Sequence, residues 1–203
     1  MPASPRFSPA YLAIRDGRPA AATPADAFEA ARATYLAGRK LDMRELAASL
    51  GVSRTTLYRW CGDREQLLTD AIWSVTEDHL NLFEQQAADV HGKDRLRLFI
   101  QLFMQASAND PPLHAFLRNE GHTALRLMTT SRNGNGQQDR IVAALATLIA
   151  EENEREDMQL GADPDLVAYT LVRALTGFVY NDAIAAIEPR LDKAMEVVDF
   201  ILR

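Results

Sequence analysis

Residues 42–68, DMRELAASLGVSRTTLYRWCGDREQLL, constrain the fold of this chain more than any other stretch. Asp42 stands at a helix N-cap position, where its carboxylate takes free backbone N–H groups, and Glu45 three residues on completes an acidic variant of the capping box. Leu46, Ala47 and Leu50 supply the inner face, and Gly51 is a natural stop because glycine enters the left-handed region without a steric penalty. Val52 then turns inward, Ser53 is placed to cap the next helix, and Leu57 returns to the core. Arg54, Thr55, Thr56, Tyr58 and Arg59 are left for the outside. Two short helices joined by a glycine turn, the second rich in Arg, Thr and Tyr, form a helix-turn-helix, the geometry that lays one helix in a DNA major groove. The same unit also serves as a plain packing element, so spacing alone leaves both readings open.

The flanks extend the pattern. Thr23-Pro24 predicts a helix to about Ala37, with Ala27, Phe28, Ala31 and Tyr35 on one side and Gly38 as its stop. Asp63 caps a helix running to about Asp89 through Leu67, Leu68, Ala71, Ile72, Val75, His79, Leu82 and Phe83. At about 25 residues it would span about 37 Å, enough to join a small head to a distant body. Further helices are expected over 93–108, 113–130 with a break at Gly121, 137–158, 164–187, and from Pro189 onward. A polar loop, SRNGNGQQ, precedes the third of these, and its EENERED end reads as a solvated tip. The fold class is therefore all-α: a three-helix N-terminal head over residues 23–70, joined by a long helix to a helical body over 71–203. Residues 1–22, with Arg6, Arg15 and Arg18 among Pro, Ala and Ser, read as a mobile basic arm.

Charge divides the same way. The net charge is -6, yet residues 1–70 carry ten Lys+Arg against eight Asp+Glu, and the remainder carries twelve against twenty. An acidic body repels nucleic acid and leaves the head as the one face for phosphate. The single cysteine, Cys61, excludes an intramolecular disulfide. No apolar run approaches the roughly 18 residues of a membrane span, and the N-terminus lacks the apolar core of a secretory signal, so a cytoplasmic location is expected. His79, His91, His114 and His122 do not fall at a metal-ligand spacing. With no glycine-rich phosphate loop, CxxC pair or ordered Ser-His-Asp set, no metal, cofactor or catalytic group is expected.

Residues 46–68 resemble the TetR family of one-component transcriptional regulators, following its Ile-Ala-x-x-x-Gly-Val-Ser-x-x-x-Leu-Tyr-x-x-Phe-x-x-Lys-Glu-x-Leu signature, and the similarity extends over about residues 24–72. Cys61 replaces the customary Phe, Arg64 the Lys and Leu46 the Ile, while Asp63 fills a capping position that is often Ser or Asn. The resemblance implies that Ser53, Arg54, Thr55 and Thr56 face base edges or phosphates, that Tyr58 and Arg59 meet the backbone, and that Arg44 and Arg64 lie near phosphate at helix starts. It also implies a palindromic double-stranded operator, a small-molecule effector bound in the body, and a homodimer formed by the last two helices. Those helices carry apolar residues on more than one side, among them Leu166, Val167, Leu171, Leu175, Phe178 and Val179.

For the effector, Tyr169, Arg173, Thr176 and Tyr180 recur at steps of four, three and four, with Asn181 beside them, and form the candidate polar wall. Trp73, Phe103, Met104, Phe116 and Met128 are the candidate apolar wall. Ordinary core packing for the aromatics, and a carboxylate partner for Arg173, remain open alternatives. The body further resembles, without a motif of its own, the TetR-type regulators of quorum-sensing lactone degradation. That implies a lactone or acyl-lactone effector whose carbonyl Arg173, Tyr169 or Asn181 would hold. The resulting expectation is a ligand-responsive repressor; the alternative is an all-α enzyme or carrier whose head is only a packing module.

Overall fold

The computed structural model describes residues 21–129, 136–155, 162–182, 185 and 187–202. Within it, the caps expected from sequence start the first four helices. Thr23 Oγ1 accepts the Asp26 amide at 3.3 Å while the Asp26 carboxylate accepts the Thr23 amide at 2.7 Å, a reciprocal box ahead of α1 (Pro24–Leu36). Asp42 accepts from the amides of Arg44 and Glu45 at the start of α2 (Met43–Ser49). Ser53 accepts from the Thr56 amide ahead of α3 (Arg54–Cys61), and Asp63 from the Gln66 amide ahead of α4 (Arg64–Gln86). Each such cap is worth about 1 kcal/mol. Gly51 ends α2 at φ 66°, which lets the Val52 amide return to the Ala47 carbonyl at 3.0 Å and sets the turn of the helix-turn-helix.

The body follows as α5 (Gly92–Ala108), α6 (Pro111–Asn119), α7 (Gly121–Thr129), α8 (Gln137–Glu154), α9 (Pro164–Thr176) and α10 (Leu191–Ile201), and α9 runs on into a π turn at Gly177–Asn181. No strand occurs among the described residues, so the all-α architecture expected from the sequence is the observed one. In the head, Ala27, Ala31 and Tyr35 of α1 are buried where it meets α4, and the alanines allow a close approach. The 23 residues of α4 span about 34 Å. The apolar interior is continuous along it: Leu46 and Leu57 of the head belong to the same buried cluster as Phe99, Ile149 and Val198 of the body.

Four details differ from the sequence reading. The break expected at Gly121 within 113–130 falls one residue earlier, at Glu120, which adopts φ -134° and ψ 38°. The helix from Pro164 does not stay α-helical but loosens at Gly177. Leu82, expected among the inner residues of the long helix, is exposed, and Leu80 takes the inner position. The acidic tip is only partly solvated. Glu151 and Glu154 are exposed, but Glu152 is fully buried. Its carboxylate accepts the Gly92 amide at 2.6 Å and Arg95 Nη1 at 2.5 Å, because His91 at the α5 N-cap position makes no side-chain cap of its own. Residues 1–20 of the basic arm, 131–135 of the polar loop and 156–157 of the acidic run lie outside the described residues.

Candidate functional site

The outer surface of α3 is the first candidate. Leu57 is completely buried and anchors the helix, while Trp60 and Cys61 pack against the core from partly buried positions. Turned away from them, Arg54, Thr55, Tyr58 and Arg59 are exposed, and Arg44 is exposed on α2. Steps of one, three and one keep the four α3 side chains on one side of a helix with 3.6 residues per turn. Ser53 and Thr56 stand at its tip with their hydroxyls 2.9 Å apart, and Ser53 Oγ also holds the Thr56 amide. These two side chains therefore organise the helix start as well as standing at it.

Arg64 is placed differently from the expectation. Its Nη2 donates to Glu120 Oε2 at 2.6 Å and Oε1 at 2.8 Å, and its Nε to the Leu41 carbonyl at 2.7 Å. The guanidinium is engaged inside the protein, bridging the start of α4, the loop before α2 and the α6–α7 break. Beside it Glu65 pairs with Arg126 of α7, and further along α4 Asp70 accepts from Arg140 of α8 at 3.3 Å. A row of ion pairs thus ties the first two turns of α4 to the body.

The second candidate is a cavity of two adjoining chambers, each of about 490 Å³ counting its mouth. One is walled almost wholly by apolar side chains of α5, α8 and α9, including Phe99, Ile100, Met104, Leu145 and Val172. The other lies against α4 and reaches α1, and brings together Tyr35, Thr76, His79, Asp110 and Gln137. Phe103, Ser107, Ile141 and Tyr180 line both. Burial, the neighbouring Asp110 carboxylate and the Tyr180 phenol all push the Tyr35 hydroxyl above its ordinary range. Burial likewise pushes Tyr180 up to about 12. Both phenols are consequently neutral O–H groups near neutral pH.

The comparisons with known proteins bear on the same elements. The family model described as "Tetracyclin repressor-like, C-terminal domain" matches residues 91–203, more than half of the chain. The chain belongs to the TetR family. An uncharacterized HTH-type transcriptional regulator of Mycobacterium tuberculosis, found in two strains, is 29% identical over 128 residues, 61% of this chain and 52% of the relative. The match thus spans about half the length of the curated relatives. The R. erythropolis transcriptional repressor QsdR, of the TetR family, superposes with a TM-score of 0.79 at 23% identity, over 88% of this chain and 93% of that one, a likeness of fold.

Within this TetR-family fold, Phe103, Met104, Met128, Thr176 and Tyr180 of the expected walls line the cavity. Other expected wall residues do not. Trp73 lies beneath the Arg140 guanidinium, 5.4 Å from its ring centroid, and Phe116 packs edge-on against Tyr35 at 6.2 Å, behind the chamber wall. Tyr169 and Arg173 are exposed and pair with each other, Arg173 Nε donating to the Tyr169 hydroxyl at 3.2 Å, on the side of α9 opposite buried Val167 and Leu171. Asn181 is exposed as well. The sequence reading missed Tyr35, His79, Asp110 and Gln137, whose one local signal was Asp110 standing before Pro111 as a helix cap; it accepts the Leu113 amide at 3.2 Å. No helix among the described residues is long and apolar enough to cross a membrane.

Proposed function

We propose that this chain is a ligand-responsive, DNA-binding transcriptional repressor that acts as a two-fold homodimer. The observation that carries the reading is the exposed Arg54, Thr55, Tyr58 and Arg59 face of α3, set on a capped helix-turn-helix in a TetR-family chain. Arginine pairs bidentately with guanine or binds phosphate, threonine offers a hydroxyl to phosphate and a methyl to thymine, and a tyrosine hydroxyl reaches the backbone. Arg44 adds a phosphate contact from α2. Support for the dimer comes from the apolar surface of the last helices, where Leu166 is 59% exposed and Phe200 69%. A two-fold pair would set recognition helices in major grooves about 34 Å apart on a palindromic operator.

The effector is a small apolar or amphipathic molecule in the two-chambered cavity. Because Tyr35 of α1 and Thr76 and His79 of α4 face the same space as α5–α8, a ligand that fits one arrangement of these helices better than another shifts α4 and with it the separation of the heads. A lactone loses the three side chains assigned to its carbonyl, since Tyr169, Arg173 and Asn181 all stand exposed outside the cavity.

A gel-shift titration on DNA upstream of the chain's own gene, repeated across salt concentrations, tests the reading. Arg54→Ala combined with Tyr58→Ala should weaken specific binding by about 10-fold to 100-fold or more while the dimer stays folded. A folded wild-type dimer with neither sequence preference nor salt slope overturns it.

A further inference from the structure

We propose that the ligand of the two-chambered cavity is an amphipathic amine, its nitrogen head held by Asp110 and Gln137 among aromatic faces and its apolar body lying in the chamber between α5, α8 and α9. This rests on the effector reading of the cavity and adds to it the chemical class of the ligand. Charge is the first argument. Among the described residues, Asp110 is the one carboxylate lining either chamber, no lysine or arginine lines them, and His79 is the one basic side chain. A partly desolvated carboxylate without a cation beside it favours a cationic ligand and repels a carboxylate.

Hydrogen bonding points the same way. Gln137 is almost wholly buried, and its Nε2 donates to the Thr69 carbonyl at 2.7 Å, which fixes the orientation of the amide because a carbonyl can only accept. Its Oε1 is left buried with no hydrogen-bond partner among the described residues. That orphan is an acceptor, so a ligand satisfies it only by bringing an N–H or O–H. Asp110 Oδ1 caps α6 through the Leu113 amide, and Oδ2 makes no such bond. The phenol of Tyr35, pushed up first by burial and then by Asp110, lines the same chamber as that carboxylate. An amine brings N–H donors for both of these acceptors of the one chamber, whereas a lactone or ester, with acceptors alone, brings none. Tyr35, Phe83, Phe103 and Tyr180 add aromatic rings to the same lining, a side-chain type that attracts a cation. From there the shared wall at Phe103 and Ile141 leads to the apolar chamber, whose almost wholly hydrocarbon side chains a hydrocarbon tail would part with almost no polar surface to desolvate.

The test is calorimetric titration of the full chain with four eight-carbon probes: octylamine, octanol, octanoate and γ-octalactone. Octylamine should bind at least about tenfold tighter than octanol, the margin expected of a charge-assisted bond joined to ring contacts, and octanoate weakest of all. Asp110→Asn, which keeps the capping oxygen, should remove that margin by lowering octylamine affinity at least about tenfold, to the level of octanol. Octanoate or the lactone binding as tightly as octylamine to the wild type overturns the proposal without any variant, and so does binding of none of the four. The same titrations in the presence of operator DNA separate the two levels. Octylamine that binds without changing DNA affinity removes the effector role and keeps the ligand class, while a lactone that binds and releases DNA does the reverse.

Discussion

Replacing Glu120 with glutamine tests what fixes the head to the body. Its carboxylate takes two bonds from Arg64, whose side chain is 24% exposed against 9% for the glutamate. At 2.6 Å and an effective dielectric of about 20, two unit charges attract by about 6 kcal/mol. Desolvating both side chains opposes most of that, and the residual solvent contact of Arg64 screens more, leaving a net value of about 2 kcal/mol. Losing one partner costs slightly more, because the other is stranded. Glu120→Gln and Arg64→Met should therefore each lower the unfolding free energy by about 2–3 kcal/mol, and the double variant should fall short of their sum by about 1–2 kcal/mol. Urea melts followed by circular dichroism read all three, provided the slopes with denaturant agree. DNA titrations across salt on the same proteins separate this role from a phosphate contact. An internal latch makes Glu120→Gln as harmful to DNA affinity as Arg64→Met, with the salt slope unchanged in both. A phosphate contact makes Arg64→Met alone harmful and reduces the slope by about one. A coupling energy below about 0.5 kcal/mol refutes the latch.

Two further perturbations probe the frame. Gly38 sits at φ 64°, and a Cβ there would lie 3.0 Å from the Cβ of Ala115 on α6. Gly38→Ala therefore adds backbone strain to a close approach of head and body, and should cost about 1–2 kcal/mol, a fall in Tm of about 3–6 °C by calorimetry; an unchanged Tm would mean that the head gives way freely. Burial alone would push the Glu152 carboxyl up, but the bonds from Arg95 and the Gly92 amide outweigh it and hold the group below its ordinary value of 4.5. The unfolded chain thus binds that proton more readily, so the stabilisation is fully present above the ordinary value and is lost as pH falls through the lower native one. Glu152→Gln should cost about 2 kcal/mol at neutral pH and flatten the acid limb of the stability curve; an acid limb parallel to wild type sinks the assignment.

The features legible in the sequence were those that a few neighbouring residues decide among themselves. Asp42, Ser53 and Asp63 cap helices that begin one residue later, Gly51 stops one, and Leu57 reports the inner face, so the helix-turn-helix and its outward Arg54 and Tyr58 come from local stereochemistry. Arg64 was misplaced because its partner Glu120 lies 56 residues away, and a helix start offers a cation to phosphate and to a distant carboxylate alike. The polar chamber was illegible for the same reason. Tyr35 repeats with Ala27 and Ala31 as plain core of α1, and Gln137 comes after a run of loop formers; only the packing of α1, α4 and α8 brings them to one space.

Tyr180 reaches the cavity for a reason that side-chain spacing alone does not supply. Tyr169, Arg173, Thr176 and Tyr180 fall on one face of a regular α-helix, and eleven residues at about 100° each would leave Tyr180 within about 20° of Tyr169. Tyr169 is 49% exposed, so a regular helix would turn Tyr180 out to the same side, yet it is buried and lines both chambers. The π turn at Gly177–Asn181 accounts for the difference. An i→i+5 turn takes up one extra residue and rotates the residues beyond it back by about 100°, which carries Tyr180 from the exposed face to the buried one. Val179 and Tyr180 are both buried inside that turn. That turn is what delivers a phenol to the cavity.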